Sequence, residues 1–238
     1  MSDVPPVPAR PTALVTGATG GMGSRIVADL RRTHGVVALG RDPERLRALA
    51  EKTGCRGERV DVTDPDAVAD VVAGLPRLDV LVHAAAVAQA LPVDAASAQD
   101  WHRQLDTNVV APALLTRVAL PLLRQAQGTV VFIGSGAGTR PVPGSAVYSA
   151  SKHALRALAD VLRIDEEPHR IRVVTIAPGQ TDTAMLRGMI ESGGGDYRPE
   201  LYIRPESVAQ TVRFVVDAPG DVHLTDVAVR PRVEISRL

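Results

Sequence analysis

From residue 11 onward, short apolar runs alternate with segments of helical periodicity, and this alternation constrains the fold more than any other feature. The runs "TALVT", "GVVALG", "LDVLVHAAA", "GTVVFIGS", "IRVVTIAP" and "VHLTDVAVR" predict strands, and "ERV" before Asp61 is a weaker seventh. Helices are predicted over 22–33, 43–53, 65–74, 98–125, 147–166 and 205–217. Runs of Val, Ile and Leu are typical of parallel strands buried on both faces. The pattern predicts an α/β fold, a single Rossmann-like, doubly wound parallel sheet of about seven strands with helices on both faces.

The chain has 238 residues, of which 45% are apolar, and this favours one domain over 11–238. Residues 1–10 contain three prolines and are predicted to be an unstructured lead-in. The stretch 178–204 lacks clear periodicity and carries "SGGGDYRP". A segment of this kind in a compact domain is usually a binding loop, so we predict a substrate lid at about 184–204.

Charge and cysteine content exclude several classes of protein. Lys plus Arg and Asp plus Glu both total 27, which gives no basis for bulk binding to nucleic acid or membrane. One cysteine excludes an internal disulfide framework, and "MSDVPPVPAR" has no apolar signal core, so a cytoplasmic protein is expected. The six histidines and the cysteine show no metal-ligand spacing, and no metal is expected.

A glycine-rich turn, "TGATGGMG", lies between the first predicted strand and the first predicted helix. Small residues let a backbone approach phosphates, and a helix N-terminus offers free N–H groups. This context predicts a site for a dinucleotide, although a tight turn without a ligand would look similar. The loop residues predicted to bind are Gly17, Thr19, Gly21, Met22 and Gly23.

The residues after the second and third strands are predicted to contact the adenosine half of such a ligand. Gly40 stands where an acid would hold a free ribose 2′-OH, and Arg41 suits a 2′-phosphate. NADP(H) is therefore favoured over NAD(H), unless Asp42 faces the ribose instead. Asp61, followed by Val62, either contacts adenine or N-caps the next helix, and both alternatives stay open.

The stretch "YSASK" places Tyr148 and Lys152 four positions apart in a chain with only three tyrosines and 25 arginines. On a helix these two residues share a face at a rise of about 6 Å. Lysine is a compact point charge, which arginine cannot replace. A lysine beside a tyrosine favours the phenolate, and this indicates proton transfer at Tyr148.

With "TGATGGMG", Asn108 in "DTNVV", Ser135 in "IGSGAG", "YSASK" and "APGQTDT" in order, the chain resembles the short-chain dehydrogenase/reductase family over nearly its full length. The resemblance implies that Tyr148 is the catalytic acid or base, helped by Lys152 and Ser135, and that Asn108 completes a proton relay through water. It also implies that Pro178, Gly179, Thr181 and Thr183 border the nicotinamide.

One motif departs from the family pattern. Where the family usually has Asn-Asn-Ala-Gly, this chain has His83-Ala84-Ala85-Ala86, and these alanines are expected to line the cofactor site. An amide that braces the sheet is lost at Ala84, and Ala86 adds a methyl group where glycine lets the cofactor lie close. We expect His83 to have a structural role, with a hydrogen bond to a strand backbone.

These features predict an NADP(H)-dependent oxidoreductase that transfers hydride between the nicotinamide and a carbonyl or secondary alcohol, acting as a carbonyl reductase. The alternative is a non-catalytic NADP(H)-binding sensor or scaffold with the same fold. The apolar stripe Met185, Leu186, Met189 and Ile190 either meets a small apolar substrate or packs the lid onto the domain. The resemblance also implies a homodimer or homotetramer with the 98–125 and 147–166 helices at an interface.

Overall fold

The structure is a computed structural model that describes residues 10–233. Within this range one parallel sheet has the strand order β3-β2-β1-β4-β5-β6-β7. Its strands are β1 (Thr12–Val15), β2 (Gly35–Gly40), β3 (Arg56–Arg59), β4 (Val80–His83), β5 (Thr129–Ile133), β6 (Arg172–Pro178) and β7 (Asp226–Val229). The predicted seven-stranded parallel sheet is confirmed. The third strand begins at Arg56, two residues before "ERV", and ends at Arg59, because Arg56 to Arg59 pair with Val37 to Gly40 of β2.

Helices cover both faces of this sheet. They are α1 (Gly21–Leu30), α2 (Pro43–Thr53), α3 (Pro65–Ala73), α4 (Ala98–Leu105), α5 (Ala111–Ala126), α6 (Ala146–Asp165), α7 (Ala184–Ser192) and α8 (Pro205–Val216). One apolar core joins α1, α2 and α8 to the sheet through residues such as Ile26, Leu46 and Val212. A second core joins α3, α5 and α6 to the other face through Val68, Leu115 and Leu155. The doubly wound arrangement is thereby confirmed.

Local capping signals set several helix ends. The carboxylate of Asp42 accepts the backbone N–H groups of Glu44 and Arg45, so Asp42 is the N-cap of α2. Gly54 ends that helix with a φ of 69°, in the left-handed region that favours glycine. The N-cap of α3 is Asp64, not Asp61. The capping alternative for Asp61 is therefore wrong.

The predicted helix 98–125 is divided by a π turn, Asp106–Val110, between α4 and α5. Pro112 explains the change. Proline has no N–H and its ring clashes with the carbonyl four residues earlier, so Pro112 cannot form the usual helical bond with Asn108. Instead, the N–H of Ala111 donates to the carbonyl of Asp106, five residues back.

The helical stretch Ala98–Ala126 is long and apolar enough to span a membrane by length and composition alone. In the fold it is a core element. Leu115, Ala119 and Leu123 are buried in the second apolar core beside the sheet.

Two predicted irregular segments have different outcomes. Residues 1–9 of the lead-in lie outside the described residues, whereas Arg10 donates hydrogen bonds to the carbonyls of Arg31, Arg32 and Thr33 at the end of α1. The 178–204 stretch was expected to lack regular structure, but it contains α7. The parallel bridge between Thr181 and Ile203 closes the base of this stretch. Its role as a lid stays a prediction.

Candidate active site

Because all seven strands are parallel, the segments that follow them meet at one edge of the sheet. Chain order reverses between β1 and β4, and in open α/β sheets ligands bind in the crevice at such a point. The glycine loop follows β1, Arg41 follows β2, Ala84 follows β4 and Ser135 lies two residues after β5. The predicted binding residues, which are scattered in sequence, are therefore gathered along this edge.

The glycine loop packs so tightly that side chains would not fit. Gly17 has a φ of 62°, and a Cβ added to it would lie 2.7 Å from the backbone of Ala85. A Cβ on Gly23 would lie 2.1 Å from the carbonyl oxygen of Gly17. One on Gly21 would lie 2.8 Å from the methyl group of Thr183. The loop therefore presents bare backbone at the sheet edge.

The start of α1 fits the diphosphate of a dinucleotide. Its N-cap, Gly20, offers no side-chain hydrogen bond, and the first turn of α1 has no acidic residue. The N–H groups and the positive end of the helix dipole are thus not compensated locally. A cavity of about 440 Å³ lies beside this loop, between the starts of α1, α7 and α8, and Gly21 is the loop residue that lines it. The residues that would hold the diphosphate are Gly17, Thr19, Gly21, Met22 and Gly23.

Thr16 braces the segment that follows β4. Its hydroxyl oxygen accepts the backbone N–H groups of Ala84 and Ala85, each at 3.1 Å. The segment after β4 is thereby tied to the end of β1. Sequence reasoning did not assign this role to Thr16, although its place at the head of the glycine loop was a signal.

His83 is buried between β5 and α5. Its Nε2 is 2.9 Å from the hydroxyl of Thr116, and its ring stacks on Phe132 with centroids 4.8 Å apart. The predicted partner, a strand backbone, was therefore wrong, while the structural role fits. Burial lowers the pKa of His83 to about 3, so the ring is neutral near pH 7 and is not poised to exchange protons.

The residues after β2 leave Arg41 available to a ligand. Its side chain is 73% exposed, and its one ion-pair distance, to Asp61, is a long 3.9 Å. A Cβ on Gly40 would lie 3.2 Å from the methyl group of Thr19, a tight contact. The carboxylate of Asp42 is occupied at the N-cap of α2. The guanidinium of Arg41 is thus free to bind a ligand at the end of β2.

Asp61 forms a turn of its own at the end of β3. Its carboxylate accepts the backbone N–H of Thr63 at 3.0 Å and the hydroxyl of Thr63 at 2.8 Å. The backbone hydrogen bond from Thr63 is the main cause that lowers the pKa of Asp61. Asp61 is exposed, Val62 beside it is half-buried, and their contact with adenine stays a prediction.

Tyr148, Lys152 and Ser135 form one cluster. Lys152 is 3% exposed, its Nζ lies 5.8 Å from the centroid of the Tyr148 ring, and it donates to the carbonyl of Ile133 at 3.0 Å. Burial lowers the pKa of Lys152 to about 8. Burial also raises the pKa of Tyr148, and a hydrogen bond with Ser135 opposes this rise. The cluster can therefore present a protonated tyrosine beside a titratable ammonium.

Asn108 is fully buried in the π turn. Its side-chain N–H groups donate to the carbonyl of Val87 at 2.9 Å and to the hydroxyl of Ser151 at 3.0 Å, while its side-chain oxygen accepts the N–H of Val87. The Ser151 hydroxyl in turn donates to the carbonyl of Tyr148. Asn108 thus joins the segment after β4 to the helix that carries Tyr148. Sequence reasoning missed Ser151, although it lies inside "YSASK".

The segment after β6 leads to the glycine loop. The N–H of Gly179 donates to the carbonyl of Val229, and the hydroxyl of Thr181 donates to the carbonyl of Gly179. Thr183 is the N-cap of α7 and accepts the N–H of Leu186. Pro178 ends β6, Gly179 and Thr181 follow it, and Thr183 reaches the start of α1 at Gly21. The structure brings them to the same edge as the other predicted residues.

A seven-stranded doubly wound sheet, a bare glycine cradle at its switch point and a Tyr-Lys-Ser cluster define a dinucleotide-dependent oxidoreductase. A family model described as "short chain dehydrogenase" matches residues 11–192, and the chain belongs to the short-chain dehydrogenase/reductase family. Across residues 10–233, no group of three His, Cys, Asp or Glu side chains is placed to hold a metal ion.

Three relatives are similar over most of their length. An NADP-dependent 3-hydroxy acid dehydrogenase YdfG of Salmonella typhi is 34% identical, with 92% of this chain and 94% of the relative covered. Sulfoacetaldehyde reductase 2 of Chromohalobacter salexigens is 33% identical, with 92% and 93% covered. Among solved structures, the closed form of serine dehydrogenase complexed with NADP+ has a TM-score of 0.86 at 31% identity, with 92% and 94% covered.

Proposed function

We propose that this protein is an NADP(H)-dependent carbonyl reductase in which Tyr148 donates the proton to the substrate oxygen. The observation that carries the proposal is the cluster itself. The Tyr148 hydroxyl is hydrogen-bonded to Ser135, and the buried ammonium of Lys152 lies one helical turn away. When bound, NADP(H) supplies the hydride.

The protonation state of Tyr148 suits the reductive direction. Carbonyl reduction needs a group that holds a proton and releases it as negative charge develops on the oxygen. Because burial raises the pKa of Tyr148, its hydroxyl is protonated near neutral pH. Ser135 donates a second hydrogen bond to the oxygen, and the Lys152 ammonium stabilises the phenolate that remains.

Asn108 has a positioning role in this proposal and borders the relay through water. Pro112 removes the usual helical donor, four residues further on, from the carbonyl of Asn108. The side chain of Asn108 is engaged by Val87 and Ser151, so its backbone carbonyl is the group for the relay.

The names of the relatives support a proposal about the substrate class. Their names describe a 3-hydroxy acid dehydrogenase, a sulfoacetaldehyde reductase and a serine dehydrogenase. Each of these substrates carries an acid group near the reacting carbon. We extend the proposal to carbonyl compounds that carry an acid group. Met185 is exposed, and Leu186 and Ile190 are half-buried, so these side chains of α7 can also make apolar contacts with a substrate.

The cofactor in this proposal is NADP(H), held at its 2′-phosphate by Arg41. The names of relatives that are NADP-dependent or complexed with NADP+ support this choice. A charge-assisted contact is worth about 1.5 to 3 kcal/mol, so NADPH should bind roughly 10- to 150-fold more tightly than NADH. We expect Arg41→Ala to remove most of this preference, whereas Arg47→Ala, an exposed arginine on α2, should leave it unchanged. Equal dissociation constants for NADPH and NADH in the wild type would contradict the assignment.

The rival function is a non-catalytic NADP(H)-binding sensor or scaffold. Oxidation of NADPH across a panel of aldehydes and ketones, with and without an acid group, separates the two. We expect turnover with at least one acid-bearing carbonyl, such as acetoacetate. Tight binding of NADPH without turnover of any member of the panel would favour the sensor.

Assembly as a homodimer or homotetramer stays a prediction. The helices expected at the interface carry exposed apolar side chains, among them Val161 at 56% and Ile164 at 69% exposure on α6. Sedimentation velocity would decide the state. A cytoplasmic location, without nucleic-acid or membrane partners, also stays a prediction.

A further inference from the structure

Arg230 directly follows β7 and lies at the same edge of the sheet as the ends of β5 and β6. Its guanidinium rests on Gly136. A Cβ built on that glycine would lie 2.9 Å from Nη1 and 3.5 Å from Cζ of Arg230. Gly136 is the residue after Ser135, and consecutive Cα atoms are about 3.8 Å apart. The cation therefore contacts the residue next to Ser135, whose side chain is proposed to bind the substrate oxygen.

The charge of Arg230 has no partner in the part of the chain that the structure describes. No carboxylate there forms an ion pair with it, whereas Arg124 and Arg213 are paired with Glu166 and Asp29. Its one hydrogen bond, to the carbonyl of Ala177, is long at 3.4 Å. A guanidinium has five N–H donors, and the residue is exposed. Most of these donors are thus free to meet a ligand.

The absence of a side chain at Gly136 leaves space for the guanidinium of Arg230. Any side chain at position 136 would occupy the volume in which the guanidinium lies. The other side of Arg230 is held by the end of β6, where a Cβ on Gly179 would lie 3.7 Å from Cδ of the arginine. Arg230 therefore lies beside the segments that follow β5 and β6, with its guanidinium at Gly136 and its Cδ near Gly179. Both segments border the proposed substrate site.

We infer that Arg230 binds the carboxylate of the substrate and so selects acid-bearing carbonyl compounds over neutral ones. The inference rests on the proposed function, because it takes the carbonyl oxygen to lie at Ser135 and Tyr148. A guanidinium presents two parallel N–H groups that match the two oxygens of a carboxylate. A neutral ester makes the same contacts at its reacting carbon but gains no charge-assisted pair.

Binding in a dead-end complex tests this without turnover. With NADPH bound, an alcohol cannot transfer its hydride, so calorimetry can compare 3-hydroxypropionate with its methyl ester. We expect Arg230→Leu to raise the dissociation constant of the acid by about 10- to 150-fold and to leave that of the ester unchanged. Arg230→Lys keeps the charge but cannot form two parallel N–H bonds to a carboxylate, so it should weaken binding of the acid less than Arg230→Leu does.

Two further variants separate position from net charge. Arg232→Leu removes the same charge two residues further on, and it should bind the acid like the wild type. Gly136→Ala keeps every charge but displaces the guanidinium, and it should weaken binding of the acid and not of the ester. Equal losses in Arg230→Leu and Arg232→Leu would overturn the inference, as would wild-type binding of the acid in Arg230→Leu.

The same measurements distinguish the two proposals. Binding of the acid that depends on Arg230, without turnover of any carbonyl, would contradict the carbonyl reductase alone. Turnover of acetoacetate with the same kcat/KM in wild type and Arg230→Leu would contradict the role of Arg230 alone.

Discussion

Tyr148→Phe is expected to lower kcat for NADPH-dependent carbonyl reduction by about 100- to 10,000-fold, the range typical of removing a general acid. The substitution deletes only the hydroxyl. The Tyr148 side chain is half-buried, and its hydrogen-bond partner, Ser135, also accepts the backbone N–H of Ala137. The fold and the glycine cradle should therefore survive.

The measurement pairs steady-state rates with NADPH binding by fluorescence and with thermal unfolding. We expect the dissociation constant of NADPH and the melting temperature to stay close to those of the wild type. If Tyr148→Phe retained more than about a tenth of the wild-type kcat, Tyr148 would not be the proton donor. Loss of NADPH binding together with activity would point to a structural role instead.

Lys152→Arg is expected to have the second-largest effect, a loss of about 100-fold or more in kcat/KM, although it keeps the positive charge. Lys152 is 3% exposed, and its Nζ donates to the carbonyl of Ile133 at 3.0 Å. A planar guanidinium is larger than an ammonium and cannot take the position in which Nζ meets Ile133.

The chain offers a matched control, since its other lysine, Lys52, is exposed on the last turn of α2. Lys52→Arg makes the same exchange away from the site and should leave the rate unchanged. Near-normal turnover in Lys152→Arg would contradict the point-charge argument.

The pH profile gives an independent readout of Lys152. Its pKa is lowered by burial to about 8, so the ammonium is present below that pH and is lost as the pH rises through it. Reductive kcat/KM of the wild type should therefore fall above about pH 8. Arginine does not deprotonate in this range, so the residual activity of Lys152→Arg should lack this decline.

Local signals in the sequence were sufficient for much of the fold. The pair Asp42 and Pro43 marked the start of α2, and Gly54 marked its end, because capping depends on neighbours within one turn. The same kind of signal, Asp64 followed by Pro65, marks the start of α3, so the sequence itself identifies Asp64 and not Asp61 as the N-cap. Pro112 likewise marks the break in the predicted 98–125 helix. The start of α3 and this break could therefore both have been predicted from the sequence.

Other features depended on contacts between residues far apart in sequence. Thr16 braces the segment after β4 across a separation of 68 residues, and His83 meets Thr116 across 33. Which of several polar groups each would find is set by strand register and by how α5 packs on the sheet. No local pattern carries that information, and so the expected backbone partner of His83 was wrong.

Periodicity, caps and spacing are local properties of the chain, and they were enough to predict the succession of strands and helices, the glycine loop and the Tyr-Lys pair. Which groups meet at the carboxyl edge of the sheet depends on the tertiary structure. It placed Asn108 against Val87 and Ser151, and it laid Arg230 on Gly136 beside Ser135. The physical reason is that a parallel sheet brings the ends of all its strands to one edge, whatever their distance in sequence.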